Sequence, residues 1–121
     1  MPEKRKRLGE LAETLTAEHL RRKGYRILTR NYRCRYGEVD IIALDNRTLV
    51  FIEVRAKSAA GFGTPQESVG YRKQARLREV ARHYLATEQT KGTLCRFDVV
   101  AIQFDPESRK VTEFEHIKNA F

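Results

Sequence analysis

Cysteine and long apolar runs are both scarce in this sequence of 121 residues. The two cysteines, Cys34 and Cys95, lie far apart and lack the paired spacing of a zinc site. We therefore expect both thiols to be reduced, as in a cytoplasmic protein. No apolar run approaches the roughly 18 residues of a membrane-spanning helix, and the basic N-terminus lacks the apolar stretch of a signal peptide.

Acidic residues are scarce only in the first third of the chain. Residues 1–36 contain 11 Lys and Arg but 4 Asp and Glu, whereas residues 37–121 contain 13 and 12. The whole chain has a net charge of +8, so most of the excess lies near the N-terminus. This asymmetry predicts a polyanionic partner, either nucleic acid or an anionic membrane surface.

The length and composition indicate one globular domain over residues 8–121, preceded by a basic flexible tail over residues 1–7. A first helix is predicted from Leu8 to about Lys23, with Gly24 ending it. Its apolar stripe, with spacings of three and four residues, consists of Leu8, Leu11, Ala12 and Leu15. Glu13 lies well away from the centre of that stripe, so periodicity alone places Glu13 on the surface.

Two apolar runs, Val39–Leu44 and Leu49–Val54, predict a β-hairpin. If residues 46–47 form a two-residue loop, Asp40 lies opposite Glu53, with Cβ atoms roughly 4.5–5.5 Å apart. A loop one residue earlier would make these two acids diagonal neighbours, which are still within reach of each other.

Carboxylates within an apolar strand are costly to bury unless they are paired or bind a cation. Two carboxylates at this spacing repel each other, and a divalent cation would remove that repulsion. A purely structural alternative stays open, in which Glu38 pairs with Arg55 across the hairpin and Asp40 pairs with a nearby base.

The remaining segments complete an α/β pattern. In chain order they are strand Tyr25–Tyr32, loop Ser58–Glu67, helix Val69–Thr87, strand Leu94–Phe104 and edge strand Lys110–Glu115. A helix between the third and fourth strands implies a parallel pair, so we expect a mixed sheet with helices packed on it.

Basic and aromatic residues interleave along the first strand and just beyond it, a combination suited to phosphate contact and base stacking. The candidate nucleic-acid-binding residues there are Arg26, Arg30, Arg33 and Arg35. Lys73, at the start of the second helix, points partly toward the sheet and is a fifth candidate. A solvated strand face is the simpler explanation of the four arginines.

The α-β-β-β-α-β order, with Asp40 in the second strand and Glu53-Val54-Arg55 in the third, resembles the PD-(D/E)xK nuclease superfamily and its restriction-endonuclease-like fold. A closer resemblance covers nearly the whole chain and is to the YraN-type family of bacterial proteins of unknown function, which is considered similar to archaeal Holliday-junction resolvases. The segments that carry this resemblance are GELAE (9–13), GYRILTRNYR (24–33), GEVDIIA (37–43), LVFIEVR (49–55) and CRFDVVAI (95–102).

The resemblance implies a metal-dependent nuclease acting on DNA, including branched DNA, with Mg²⁺ or Mn²⁺ as cofactor. Asp40 and Glu53 would be metal-binding carboxylates, the Val54 carbonyl a third ligand, and Glu13 the counterpart of the first-helix glutamate of resolvase-like relatives. Analogy with resolvases, which act on two-fold substrates, favours a homodimer. DNA, rather than a membrane, is then the expected partner.

The sequence departs from the superfamily motif at the usual lysine, where it has Arg55. Arginine stays protonated, so Arg55 cannot act as a general base, although it can position a phosphate. Lys57, on the same strand face, and Lys73, from the second helix, are the other basic candidates for the catalytic site. Two further functions stay open: a non-catalytic nucleic-acid-binding module, and a protein-interaction factor.

Overall fold

The apolar runs of the sequence form strands that pair in chain order. The computed structural model describes residues 2–58, 69–88 and 94–121, with residues 2–6 as backbone only. The described elements are α1 (Pro2–Arg22), β1 (Arg26–Cys34), β2 (Gly37–Asp45), β3 (Thr48–Lys57), α2 (Tyr71–Thr87), β4 (Leu94–Phe104) and β5 (Val111–Ile117). Apart from Ser58, the predicted loop Ser58–Glu67 lies outside the described residues.

The sheet has the order β1-β2-β3-β4-β5, with β3 and β4 parallel and the other neighbouring strands antiparallel. The predicted α/β fold with a mixed sheet is therefore confirmed, and the arrangement is consistent with a restriction-endonuclease-like core. Neither helix in the described part of the chain is both long enough and apolar enough to cross a membrane.

The β2–β3 hairpin has the predicted register. Asp45 pairs with Thr48 and Ile41 pairs with Ile52, so residues 46–47 form a two-residue loop. Asn46 has a φ of 55° in this loop. Asparagine tolerates this left-handed conformation better than most residues, which explains a tight turn without glycine.

Each face of the sheet carries its own apolar cluster. One cluster joins α1 to the sheet through residues such as Leu20, Ile41 and Ile52. The other joins α2 to the opposite face through residues such as Phe51 and Leu77. The helices therefore cover opposite faces, and β3 is buried between them.

The predicted apolar stripe of α1 is confirmed at three of its four positions: Ala12 is fully buried, and Leu8 and Leu15 are partly buried against the core. Leu11 is 39% exposed, and the fully buried residues of this helix are Ala12, Thr16, Ala17 and Leu20. At 100° per residue, Glu13 lies between Leu20 and Ala17 around the helix. Glu13 is therefore on the side of α1 that meets the sheet and is half-buried, which corrects its predicted surface position.

Compared with the prediction, α1 begins earlier in the chain and ends at almost the same residue. The helix begins at Pro2, so residues 2–7 belong to it, although they were expected to form a tail. At the other end, Gly24 has a φ of 93° and its N–H bonds to the Arg21 carbonyl, while the Tyr25 N–H bonds to the Leu20 carbonyl. These two bonds form a Schellman motif, in which glycine is favoured. Gly24 therefore ends the helix as predicted.

A buried charged network ties β4 to β5 and the C-terminal segment. The side chain of Asp98 is completely buried and accepts hydrogen bonds from Arg96 Nε (3.0 Å) and the Asn119 N–H (3.0 Å). Its other oxygen lies 2.8 Å from His116 Nε2. Burial acts to raise the pKa of Asp98, but the hydrogen bonds from His116, Arg96 and Asn119 outweigh it and lower the pKa.

Arg96 extends the same network to two further elements. Its Nη1 donates to Asp45 Oδ2 at 2.9 Å, and its Nη2 donates to the Tyr25 hydroxyl at 2.6 Å. The network therefore connects Tyr25, just before β1, with the end of β2, β4 and β5.

We expect Asp98→Ala to destabilise the protein by about 3–5 kcal/mol, because it leaves the Arg96 guanidinium without its buried partner. The control Glu79→Ala removes an exposed ion pair with Arg82 and should cost about 1 kcal/mol or less. Urea denaturation monitored by circular dichroism measures both free energies of unfolding. Equal losses for the two variants would show that the Asp98 network does not stabilise the fold.

Candidate functional site

The β2–β3 ladder ends where the acidic residues of the hairpin begin. Its last registered pair is Ile41 with Ile52, and the next residues on the two strands are Asp40 and Glu53. Asp40 Oδ2 accepts a hydrogen bond of 2.7 Å from the backbone N–H of Val54. The Asp40 side chain therefore links β2 to β3 beyond the last main-chain pair.

The regular alternation of side chains in β2 breaks at Asp40. Val39 and Ile41 are two residues apart, yet they pack in the apolar clusters of opposite sheet faces. In the β1–β2 register the residue facing Asp40 is Asn31, which has a φ of 56°. The Asn31 side chain also hydrogen-bonds Glu13 of α1. This irregularity therefore connects Asp40 to the first helix.

Burial and a neighbouring carboxylate both act on Asp40. Desolvation, followed by repulsion from Glu53, raises the pKa of Asp40 to about 7. Glu13 contributes in the same direction, whereas the Val54 N–H and the Lys73 ammonium favour the ionised form. Two further acids thus lie close enough to Asp40 to disfavour its charge.

Glu13 has the same kind of environment. Desolvation is the main cause that raises its pKa, and the carboxylates of Glu38 and Glu53 add to it, against the opposing effects of Arg30 and Asn31. Three acids from α1, β2 and β3 therefore repel one another electrostatically: Glu13, Asp40 and Glu53, which we call the site carboxylates.

Lys73 of α2 is the cation in contact with the site carboxylates. Its Nζ lies 2.7 Å from Oε1 of Glu53, and Glu53 is only 6% exposed. Arg55 Nη1 is 3.9 Å from the same oxygen, which is too far for a hydrogen bond. Lys57 ends β3, in register with Gln103 of β4. Of Lys73 and Arg55, Lys73 therefore makes the shorter contact with Glu53.

The donor set fits a hard divalent cation in part. Among residues 2–58, 69–88 and 94–121, no three His, Cys, Asp or Glu side chains come together as a metal-binding group. Glu13 therefore joins Asp40 and Glu53 through charge and not as a third side-chain ligand. Mg²⁺ is commonly held by one or two carboxylates together with waters and substrate phosphate, and the mutual repulsion at Asp40 is what such a cation relieves.

The purely structural alternative, in which Glu38 pairs with Arg55 across the hairpin, is not borne out. Its carboxylate accepts a 2.8 Å hydrogen bond from Arg33 Nε of the neighbouring strand, and not from Arg55. Asp40 accepts a hydrogen bond from the backbone amide of Val54 and not from a basic side chain. The predicted cross-strand pairing of Glu38 with Arg55 is therefore wrong.

The candidate nucleic-acid-binding arginines of β1 and the following turn differ in exposure. Arg26, Arg33 and Arg35 are exposed, whereas Arg30 is half-buried and donates to Thr14 Oγ1 at 3.1 Å. The Arg35 guanidinium lies over the Tyr36 ring, 4.8 Å from its centroid. The three exposed arginines can therefore meet a phosphate without breaking a buried contact.

Sequence reasoning missed Asn31, which holds Glu13 and faces Asp40. An asparagine within an otherwise β-favouring run was the available signal, because asparagine adopts a positive φ more readily than most residues. The effect of the positive φ at Asn31 on Asp40 depends on how β1 pairs with β2, so the sequence of β1 alone does not predict it.

The raised pKa of Asp40 predicts a pH effect on stability in metal-free buffer. The folded protein holds this proton more tightly than the unfolded chain, so the free energy of unfolding falls as pH rises from about 4 to about 7. Asp40→Asn cannot ionise, so this variant should gain stability relative to wild type over pH 5–8. Urea denaturation with a chelator present measures the difference.

Asp105→Asn is the control for this pH effect. Asp105 accepts hydrogen bonds from the N–H groups of Glu107 and Ser108, which lower its pKa. Asp105 therefore stays ionised over pH 5–8, and its variant should keep a constant offset from wild type. A constant offset for Asp40→Asn as well would contradict the electrostatic description of the site.

Comparison with known proteins places the chain in a family. Residues 12–102, which include the site carboxylates and Lys73, match the model of Uncharacterised protein family UPF0102. The chain is 47% identical over 121 residues to a UPF0102 protein of Pelotomaculum thermopropionicum, covering 100% of both chains. It is 51% identical over 117 residues to one from Moorella thermoacetica, covering 97% of each. The chain therefore belongs to the UPF0102 family.

Proposed function

We propose that this protein is a metal-dependent phosphodiesterase of the PD-(D/E)xK type that cleaves DNA. The observation that carries the proposal is the position of Asp40 and Glu53 at the end of the β2–β3 ladder, where Glu13 acts on Asp40 through its charge and the pKa of Asp40 is raised to about 7. Such carboxylates are costly to the fold unless they serve a ligand. The α-β-β-β-α-β order and the basic N-terminal third agree with this reaction class.

Each residue of the site has a distinct task in this mechanism. Asp40 and Glu53 hold the Mg²⁺ or Mn²⁺ ion, with the Val54 carbonyl as the third protein ligand. When bound, the ion supplies a polarised water and positive charge beside the scissile phosphate. Glu13 orients water next to these ligands, and Arg55 stabilises charge on the phosphate.

The exposed arginines provide the substrate surface. Arg26, Arg33 and Arg35 contact the phosphate backbone, which makes binding strongly electrostatic and weakly sequence-specific. Branched DNA acted on by a homodimer is the substrate and assembly that the resolvase resemblance favours. We place this activity in the cytoplasm, where both cysteines would stay reduced.

A non-catalytic DNA-binding module is the second candidate function. Arg55 occupies the position of the superfamily lysine, and an arginine cannot accept a proton there. The basic surface would be retained in such a protein, whereas cleavage would not. Divalent-dependent cleavage of DNA separates the two functions.

Cleavage should depend on Glu53 and Arg55 in different ways. Glu53→Gln should weaken binding of the divalent ion and remove cleavage, because an amide is a poorer ligand than a carboxylate for a hard cation. Arg55→Ala should keep the ion and slow cleavage by about 10²–10³-fold, as expected for one lost charge-stabilising donor. Both rates are measured with Mg²⁺ or Mn²⁺ on linear, nicked and four-way DNA.

Arg82→Ala is the control for the loss of a surface charge, because Arg82 is exposed and pairs with Glu79 on α2. Its cleavage rate should match that of wild type. If wild type cleaves none of the DNAs but binds them, the non-catalytic module is the correct function.

DNA binding should weaken steeply with salt and depend on the exposed arginines near β1. Each phosphate neutralised on duplex DNA contributes about −0.9 to the slope of log K against log salt. Replacing Arg26, Arg33 and Arg35 together with Gln should make that slope shallower. Replacing three exposed arginines of α2 is the matched control and should change the slope less; the three are Arg72, Arg76 and Arg82. Fluorescence anisotropy at several salt concentrations measures the slopes, and equal slopes for both triple variants would contradict this surface.

A further inference from the structure

Lys73 provides the charge that the buried Glu53 carboxylate needs. Glu53 is 6% exposed, and its Oε1 lies 2.7 Å from Lys73 Nζ. A carboxylate at this depth is costly to bury unless it is paired with a cation or accepts hydrogen bonds. Because Arg55 Nη1 is 3.9 Å away, the lysine ammonium is the closer of the two partners.

Lys73 is also able to leave this position. Its side chain is 33% exposed, and a lysine ammonium sits on a flexible four-carbon stem. The next residue, Gln74, donates a hydrogen bond of 2.9 Å to the Val69 carbonyl, which anchors the first turn of α2. The lysine head group can therefore move while the helix that carries it stays in place.

We propose that Lys73 is the resident counter-cation of Glu53 in the metal-free protein, and that it leaves Glu53 whenever this carboxylate binds a divalent cation. The inference rests on the proposed function, because it assumes that Glu53 is a metal ligand. A charge-assisted hydrogen bond from an ammonium occupies acceptor capacity of Glu53 Oε1 and offsets the negative charge that would attract a second cation. Two cations at one carboxylate also repel each other.

The exchange gives Lys73 a second position during the reaction. Once released, the ammonium lies on the first turn of α2, beside the site carboxylates, where it can donate to a phosphate oxygen of the bound DNA. Lys73, on a helix, then supplies the lysine that the third strand lacks because position 55 is arginine. Lys73 is accordingly both a competitor of the ion and a phosphate-binding residue.

Calorimetric titration with Mn²⁺ in the absence of DNA tests the exchange. We expect Lys73→Met to bind Mn²⁺ roughly tenfold more tightly than wild type or better, since one charge-assisted hydrogen bond no longer competes. Arg82→Met is the matched control, because it removes one charge and one ion pair from the same helix but far along its sequence from Glu53. Its affinity should stay close to that of wild type.

A measurement on wild type covers the case in which Lys73→Met fails to fold. Amine acetylation followed by mass spectrometry reports how accessible the Lys73 ammonium is. Saturating Mg²⁺ should speed the acetylation of Lys73 several-fold, whereas the rate at the exposed Lys118 should not change. An unchanged rate at Lys73 in a protein that binds Mg²⁺ would overturn the exchange.

The outcomes separate this inference from the proposed function. Mn²⁺ binding that is tighter in Lys73→Met alone, or that appears only in this variant, supports the exchange. Equal Mn²⁺ affinity in wild type and Lys73→Met, or an equal gain in Arg82→Met, overturns the exchange and leaves the metal site in place. If no variant binds Mn²⁺ with or without DNA, the proposed function fails and the exchange fails with it.

Discussion

The hydrogen bond from the Val54 amide to Asp40 is the contact on which the candidate site depends. It joins β2 and β3 where their main-chain pairing stops, and so it holds a carboxylate next to Glu53 inside a largely apolar sheet. Burial and repulsion then raise the pKa of Asp40. Lys73 of α2 compensates part of this negative charge through its contact with Glu53.

The two charged regions of the sheet have different characters. Asp98 lies in the first half of β4 and is surrounded by hydrogen-bond donors that together lower its pKa. The fold itself therefore supplies the partners that this carboxylate needs. Asp40 and Glu13 have raised pKa values, so the fold leaves their charge incompletely compensated. Regions of the second kind are where a protein commonly gives up stability for a ligand. The contrast is why we assign a ligand to the hairpin acids and a structural role to Asp98.

The sequence predicted the parts of the site that depend on local pattern. A two-residue loop was enough to predict the hairpin register as far as Ile41 and Ile52, with Asp40 and Glu53 next along their strands, because hairpin register follows from the turn. The orientation of α1 was not predictable in the same way. The predicted stripe included the buried Ala12 but also the exposed Leu11, and it left out Thr16 and Ala17, which are fully buried, since the packing partner and not the bulk of the side chains decides which face is buried.

The position of Lys73 also required the three-dimensional structure. Helical periodicity placed it at the edge of the apolar stripe of α2, a position from which it could contact either phosphate or the sheet. Its partner Glu53 is twenty residues earlier in the chain, and the choice between the two contacts depends on how α2 lies across β3. The resemblance to PD-(D/E)xK nucleases drew attention to Arg55, whereas the short contact belongs to Lys73.

The most direct test of the central claim is the position of a divalent ion in crystals of the protein soaked with Mn²⁺. An anomalous difference map would locate the ion independently of any activity. We expect a peak within about 2.0–2.6 Å of carboxylate oxygens of both Asp40 and Glu53, the range of hard-cation coordination. A fully soaked crystal with no peak between these residues, or with the ion bound elsewhere, would contradict the claim that the end of the β2–β3 ladder is a metal site.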